Sequence, residues 1–213
     1  MATVYKLHPE TPQSSRVETI RDALQNGAVM LYPTDTVYAI GCDINAKSAI
    51  ERVRRLKQLA NDKPLTFLCP SLSNIAQYAI VTDAAYRLIR HLVPGPYTFL
   101  LPATKLVPRL VQNPKRKTTG IRVPNHPISQ ALLQALGHPI ISTSAPTVAR
   151  SAEVLLSQAE LFDQLEKSVD IIIDDDSPMG YQVSTILDLT AEEPIVIRKG
   201  AGWEAVADLD ITV

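Results

Sequence analysis

The sequence predicts a single α/β domain of the α+β type, with a twisted mixed sheet and helices packed on it. Three observations lead there. Apolar runs of strand length interleave with segments of helical period, but not in regular strand–helix alternation. Some neighbouring runs are separated only by short polar turns, which favours antiparallel pairing over a doubly wound parallel sheet. No repeat, low-complexity tract or linker divides the 213 residues, a length that buries a sizeable core.

The elements follow in order. "SRVETIRDALQN" (residues 15–26) places Val17, Ile20 and Leu24 at helical spacing, Ser15 and Glu18 form a capping-box pair, and Gly27 follows the end. "AVMLYP" reads as a buried strand and "TVYAIGCD" as a second one after a short polar turn. Helical period returns over 45–60 through Ala49, Ile50, Val53 and Leu56. "PLTFLC" is a strand, "DAAYRLIRHLV" a helix and "PYTFLLPA" a strand. "TGIRVP" and "HPIIST" are strands flanking the helix around "ISQALLQALG". One or two helices over 153–168 precede the strands "DIIID", "QVSTILDL" and "EPIVIRK".

Composition narrows the class. With 46% hydrophobic and 20% charged residues the chain is globular rather than disordered. It has no long uncharged apolar run and no basic-then-apolar leader, so we expect a cytoplasmic protein without a membrane partner. Cys42 and Cys69 have neither metal nor redox spacing and are expected to be reduced. The net charge of −1 hides an asymmetry: nine bases and no acid lie between Asp83 and Glu153, then eleven acids and one base between Glu153 and Glu193. Such a basic block suits phosphates, in a nucleotide or an RNA backbone, although the two blocks pairing across the fold is the plainer account.

No phosphate-binding glycine loop, dinucleotide fingerprint or zinc pattern is present, and His8, His91, His126 and His138 are scattered. Polar residues at strand ends are the remaining candidates. Thr34, Asp35 and Thr36 sit between two apolar strands, as a ligand site or a plain turn. Arg122 stands alone in an apolar strand and needs a carboxylate, a phosphate or an internal aspartate. Ser142, Thr143 and Ser144 end another strand, and Ser184 and Thr185 lie within a third.

In this order "YPTDTVYAIGCD", "LKQLANDKPL", "PGPYTFLL", "GIRVPNHP", "IISTSA", "STILDL" and "VIRKG" resemble the YrdC-domain family, the threonylcarbamoyl-AMP synthases and their relatives. The likeness is nearest to the YciO branch. It covers residues 14–200, leaving 1–13 and 201–213 as terminal extensions. It implies a basic concave surface and a nucleotidyl transfer in which L-threonine, bicarbonate and ATP yield threonylcarbamoyl-AMP and pyrophosphate, for threonylcarbamoyladenosine modification of tRNA. ATP would be a substrate, accompanied by Mg²⁺. The resemblance assigns Thr34, Thr36, Lys63, Arg122 and Ser184 to threonine, and Lys57, Ser142, Ser144 and Arg198 to the nucleotide. It supplies no protein metal ligand and no evident general base.

Three positions depart from the synthase pattern. Leu59 replaces an arginine two residues after Lys57, Pro146 replaces an asparagine after Ser144, and Ala39 replaces a glycine. Proline has neither an amide side chain nor a backbone N–H. The expectation is therefore a synthase, of reduced rate or altered substrate. Its alternative is a non-catalytic protein that grips double-stranded RNA, tRNA or rRNA through Lys115, Arg116 and Lys117.

Overall fold

The computed structural model describes residues 1–57, 65–148, 154–207 and 209. In chain order the elements are β1 (Thr3–Lys6), α1 (Ser14–Gln25), β2 (Val29–Tyr32), β3 (Ala39–Asp43), α2 (Lys47–Leu56), β4 (Thr66–Leu68), α3 (Leu72–Tyr78), α4 (Asp83–Leu92) and β5 (Tyr97–Pro102). They continue with β6 (Thr118–Arg122), α5 (Pro127–Leu136), β7 (Ile140–Ser144), α6 (Gln158–Leu165), β8 (Ile171–Asp174), β9 (Thr185–Asp188), β10 (Ile195–Arg198) and α7 (Trp203–Ala207). Among the described residues the strands form one sheet ordered β1-β8-β2-β3-β7-β4-β6-β5-β9-β10.

The sheet is mixed, as the short turns predict. β2–β3, β3–β7, β4–β7, β5–β6 and β9–β10 are antiparallel, while β1–β8, β2–β8, β4–β6 and β5–β9 are parallel. Side-chain alternation divides its two faces. Val29, Leu31, Ile40, Phe67, Phe99, Ile121 and Ile141 pack with the apolar stripes of α2, α3, α4 and α6 in one core. Met30, Tyr32, Leu68, Ile140 and Ile171 pack with those of α1 and α5 in the other.

The helices α1 and α5 cover only part of that second face. Beyond Leu68 and Ile140 the same face turns polar: Ser142 and Ser144 follow Ile140 along β7, and Arg122 pairs with Leu68 across β4 and β6. Polar side chains there would be wasted beneath a helix. They floor an open concavity instead.

Several local expectations change. The Ser15–Glu18 capping box does not form: α1 begins one residue earlier, its N-cap is Gln13, and no side chain caps it. A capping box does form at Ser157 and Glu160, ahead of α6. The second strand begins at Ala39 rather than Thr36, because Thr34 Oγ1 donates to the Val37 carbonyl at 2.7 Å and holds 34–37 as a turn. Periodicity gives no sign of β1, in the stretch set outside the domain, or of the short helix α3, which fully buries only Ile75. Among the described residues no helix is long and apolar enough to cross a membrane.

Candidate functional site

A cavity of about 150 Å³ lies on the uncovered part of the second face. Thr34 and Thr36 enter it from the β2–β3 turn, Arg122 from the end of β6, and Ser142 and Ser144 from β7. Ser184 enters just ahead of β9 and Arg198 at the end of β10. Lys57 reaches in from the C-terminal end of α2, with Nζ 3.4 Å from Ser144 Oγ. Eight of the nine residues assigned to threonine and nucleotide are thus brought together. Lys63, the ninth, lies outside the described residues, as does Leu59.

Arg122 is nearly enclosed, with 8% of its side chain exposed. Its Nη1 donates to Thr36 Oγ1 at 2.9 Å and its Nη2 to Asp35 Oδ1 at 2.6 Å. Of the partners the sequence leaves open for this arginine, the structure shows the internal aspartate. Burial lowers the basicity of Arg122, opposed by the adjacent Asp35 carboxylate. A guanidinium stays charged through such a change.

The threonine and nucleotide sets are not separate in space. Arg198 Nε donates to the Ser184 carbonyl at 3.0 Å and Nη2 to Ser184 Oγ at 3.1 Å, while Ser184 Oγ lies 2.9 Å from Thr98 Oγ1 on β5. Burial, and then Arg122, lower the basicity of Arg198. Burial, and then Arg198, hold Lys57 below the ordinary lysine value. Arg198 therefore stands between two like charges, Lys57 and Arg122, and an anionic ligand would relieve that repulsion. The arrangement is a receptacle for anions bearing hydroxyl or carbonyl oxygens.

Two supporting features have no local sequence signal. Tyr32, fully buried under α1 and α5, places its hydroxyl 2.7 Å from Ser142 Oγ, and burial pushes its phenol well up, so it stays protonated. Gly41 makes this possible: a Cβ there would come within 2.9 Å of the Tyr32 ring. The loop after β8 is the second feature. Asp175 is 2% exposed; its Oδ1 accepts from the Ser177 N–H at 3.2 Å and lies 3.5 Å from Tyr38 Oη, and its Oδ2 lies 3.5 Å from His126 Nε2. Downstream, Gly180 approaches the Thr36 carbonyl so closely that a Cβ would collide with it, so this loop lies against the turn that carries Thr34 and Thr36.

Other assigned residues are elsewhere. Lys115, Arg116 and Lys117 are exposed on the turn before β6, with Lys117 about 17 Å along the chain from Arg122 at the usual strand rise. Arg116 is 3.8 Å from Asp188, so the basic and acidic blocks do meet there across the fold. Arg54, which precedes Lys57 on α2, is buried and donates to the Leu110 carbonyl. Pro146 follows Ala145, whose N–H donates to the Tyr38 carbonyl at 2.7 Å, and does not line the cavity, whereas Ala39 does.

Fold and site together define a mixed α/β domain with one polar, cationic cavity at the strand ends. The family model of the Sua5, YciO and YrdC proteins, described as "Telomere recombination", matches residues 22–200. The chain belongs to this family. It is 42% identical over 202 residues to the Escherichia coli K12 protein YciO, covering 95% of this chain and 97% of that one. The crystal structure of E. coli YciO superposes with a TM-score of 0.87 over 95% of this chain and 97% of that one. A threonylcarbamoyl-AMP synthase of Vibrio vulnificus is 30% identical over 189 residues, covering 87% of this chain and 99% of that enzyme. The P. abyssi Sua5 structure complexed with L-threonine has a TM-score of 0.87 at 24% identity, covers 99% of this chain and 62% of its own, and supports the fold alone.

Proposed function

We propose that the chain is a nucleotidyltransferase of the threonylcarbamoyl-AMP synthase type, acting on L-threonine, bicarbonate and ATP. The observation that carries this reading is the convergence of Thr34, Thr36, Arg122, Ser184, Ser142, Ser144 and Arg198 on one cavity, with Lys57 against Ser144 at its edge. Arg122 takes the amino-acid carboxylate, and the hydroxyls of Thr34, Thr36 and Ser184 take its remaining polar groups. Lys57 and Arg198, with Ser142 and Ser144, take the phosphates.

The threonine amine adds to bicarbonate, losing water, to give a carbamate. A carbamate oxygen then bonds to the α-phosphorus as the bond to pyrophosphate breaks. This sequence needs alignment and neutralised charge rather than a protein nucleophile, which is what three cations and five hydroxyls around one space supply. Mg²⁺ would enter as an ion carried by the nucleotide phosphates. The product would serve tRNA modification. The resemblance assigns the changes at Leu59 and Pro146 to the nucleotide end, where a lower rate or a different carbamoyl or acyl-adenylate product would arise, although Pro146 does not itself line the cavity.

The test is calorimetric titration of the chain with L-threonine and with ATP. Both are expected to bind once per chain, each more tightly in the presence of the other. Absence of heat from both overturns the reading. The exposed turn Lys115–Lys117 favours one alternative, an RNA-binding protein without chemistry. That protein would bind double-stranded RNA with steep salt dependence, and neutralising the three residues would flatten the slope.

A further inference from the structure

The Asp35–Arg122 pair is incomplete in a specific way. Asp35 Oδ2 and Arg122 Nε are both buried and neither has a hydrogen-bond partner. A carboxylate and a guanidinium can satisfy each other through two parallel bonds, yet here one short bond forms and the second donor and acceptor are left over. Asp35 is not itself a lining residue, whereas Arg122 is. The pair thus holds a buried cation by an internal carboxylate where the cavity presents the Arg122 guanidinium.

We infer that Asp35 is a resident carboxylate that occupies Arg122 in the empty protein and competes with the carboxylate of an incoming ligand. The inference rests on the reading of Arg122 as the carboxylate-binding residue. Two carboxylates on one guanidinium repel each other, so a ligand carboxylate takes over Arg122 as Asp35 gives it up. A ligand lacking the carboxylate has nothing to offer in exchange. Asp35 therefore sets a threshold: it keeps the buried cation neutralised when the cavity is empty, and it makes affinity depend on a carboxylate of good geometry.

The experiment compares wild type with Asp35→Asn, which keeps shape but removes charge, titrating each with L-threonine, L-threoninol and acetate. Asp35→Ser serves in place of Asp35→Asn if the latter melts too low to titrate. Competition predicts that Asp35→Asn binds L-threonine more tightly by about tenfold or more, while L-threoninol binds both proteins alike. L-threonine binding unchanged or weakened in Asp35→Asn overturns the inference and leaves the amino-acid reading intact. If L-threonine binds neither protein, the amino-acid reading fails, and acetate decides: tighter binding to Asp35→Asn upholds competition, and no difference overturns it.

Discussion

Replacing Arg122 with alanine is expected to abolish L-threonine binding and to unfold the protein at a markedly lower temperature. Both effects have one origin. Arg122 is the buried cation that faces the cavity from β6, and it also neutralises Asp35. Its removal leaves a carboxylate with 12% of its side chain exposed and no counter-charge, a loss of about 3–5 kcal/mol for a buried pair broken from one side. Truncating one member of a desolvated charge pair with the ligand raises Kd by at least roughly thirtyfold. The double variant Arg122→Ala with Asp35→Asn separates the two effects. It should recover part of the melting temperature, because no unpaired carboxylate remains, while still failing to bind L-threonine. Recovery of binding together with stability would show that Arg122 serves folding alone.

The second large effect is expected from Asp175→Asn. Burial alone would raise the Asp175 carboxyl, but the interaction with His126 and the Ser177 N–H outweigh it and hold the group below the ordinary carboxylate value. Its folded value therefore lies below its unfolded one, so its stabilisation is fully present above the unfolded value, near 4, and is lost as pH falls through the folded value. At neutral pH the asparagine variant should lose about 1–3 kcal/mol, the cost of unpairing a buried group with charge-assisted partners. In denaturant titrations across pH, the gap between wild type and variant should be constant from neutrality to about pH 5 and close below about pH 4. A gap that stays constant into strong acid would show that the charge of Asp175 contributes nothing. Because the Gly180 end of this loop lies against Thr36, the variant should also weaken L-threonine binding at neutral pH.

Much of the architecture is legible in local pattern. The mixed sheet follows from apolar runs joined by short turns, and α2, α4 and α5 appear where apolar residues recur at helical spacing. Elements with little buried area are not legible. β1 has no buried residue and owes its place to pairing with β8, which lies 168 residues away at Thr3 and Ile171. α3 fully buries only Ile75, with Leu72 and Tyr78 half-buried against the same core. The Ser15–Glu18 pattern and the Ser157–Glu160 box have the same spacing, and only the chain's path into each helix distinguishes them.

The site divides in a similar way. A lone arginine in an apolar strand and hydroxyls at strand ends are visible as anomalies, and the fold brings them together. Their supports are not visible. Tyr32 looks like one more buried aromatic until β2, β3 and β7 align it over Gly41 beside Ser142. His126 and Asp175 are 49 positions apart and meet only because α5 begins beside the end of β8. No local spacing encodes such contacts.

The measurement that tests the central claim most directly is pyrophosphate release from ATP and bicarbonate, with and without L-threonine, using Arg122→Ala as the control. Release that requires L-threonine and disappears in Arg122→Ala is the predicted result. Release no greater than that of the variant would contradict the claim that this cavity performs threonine-dependent nucleotidyl transfer.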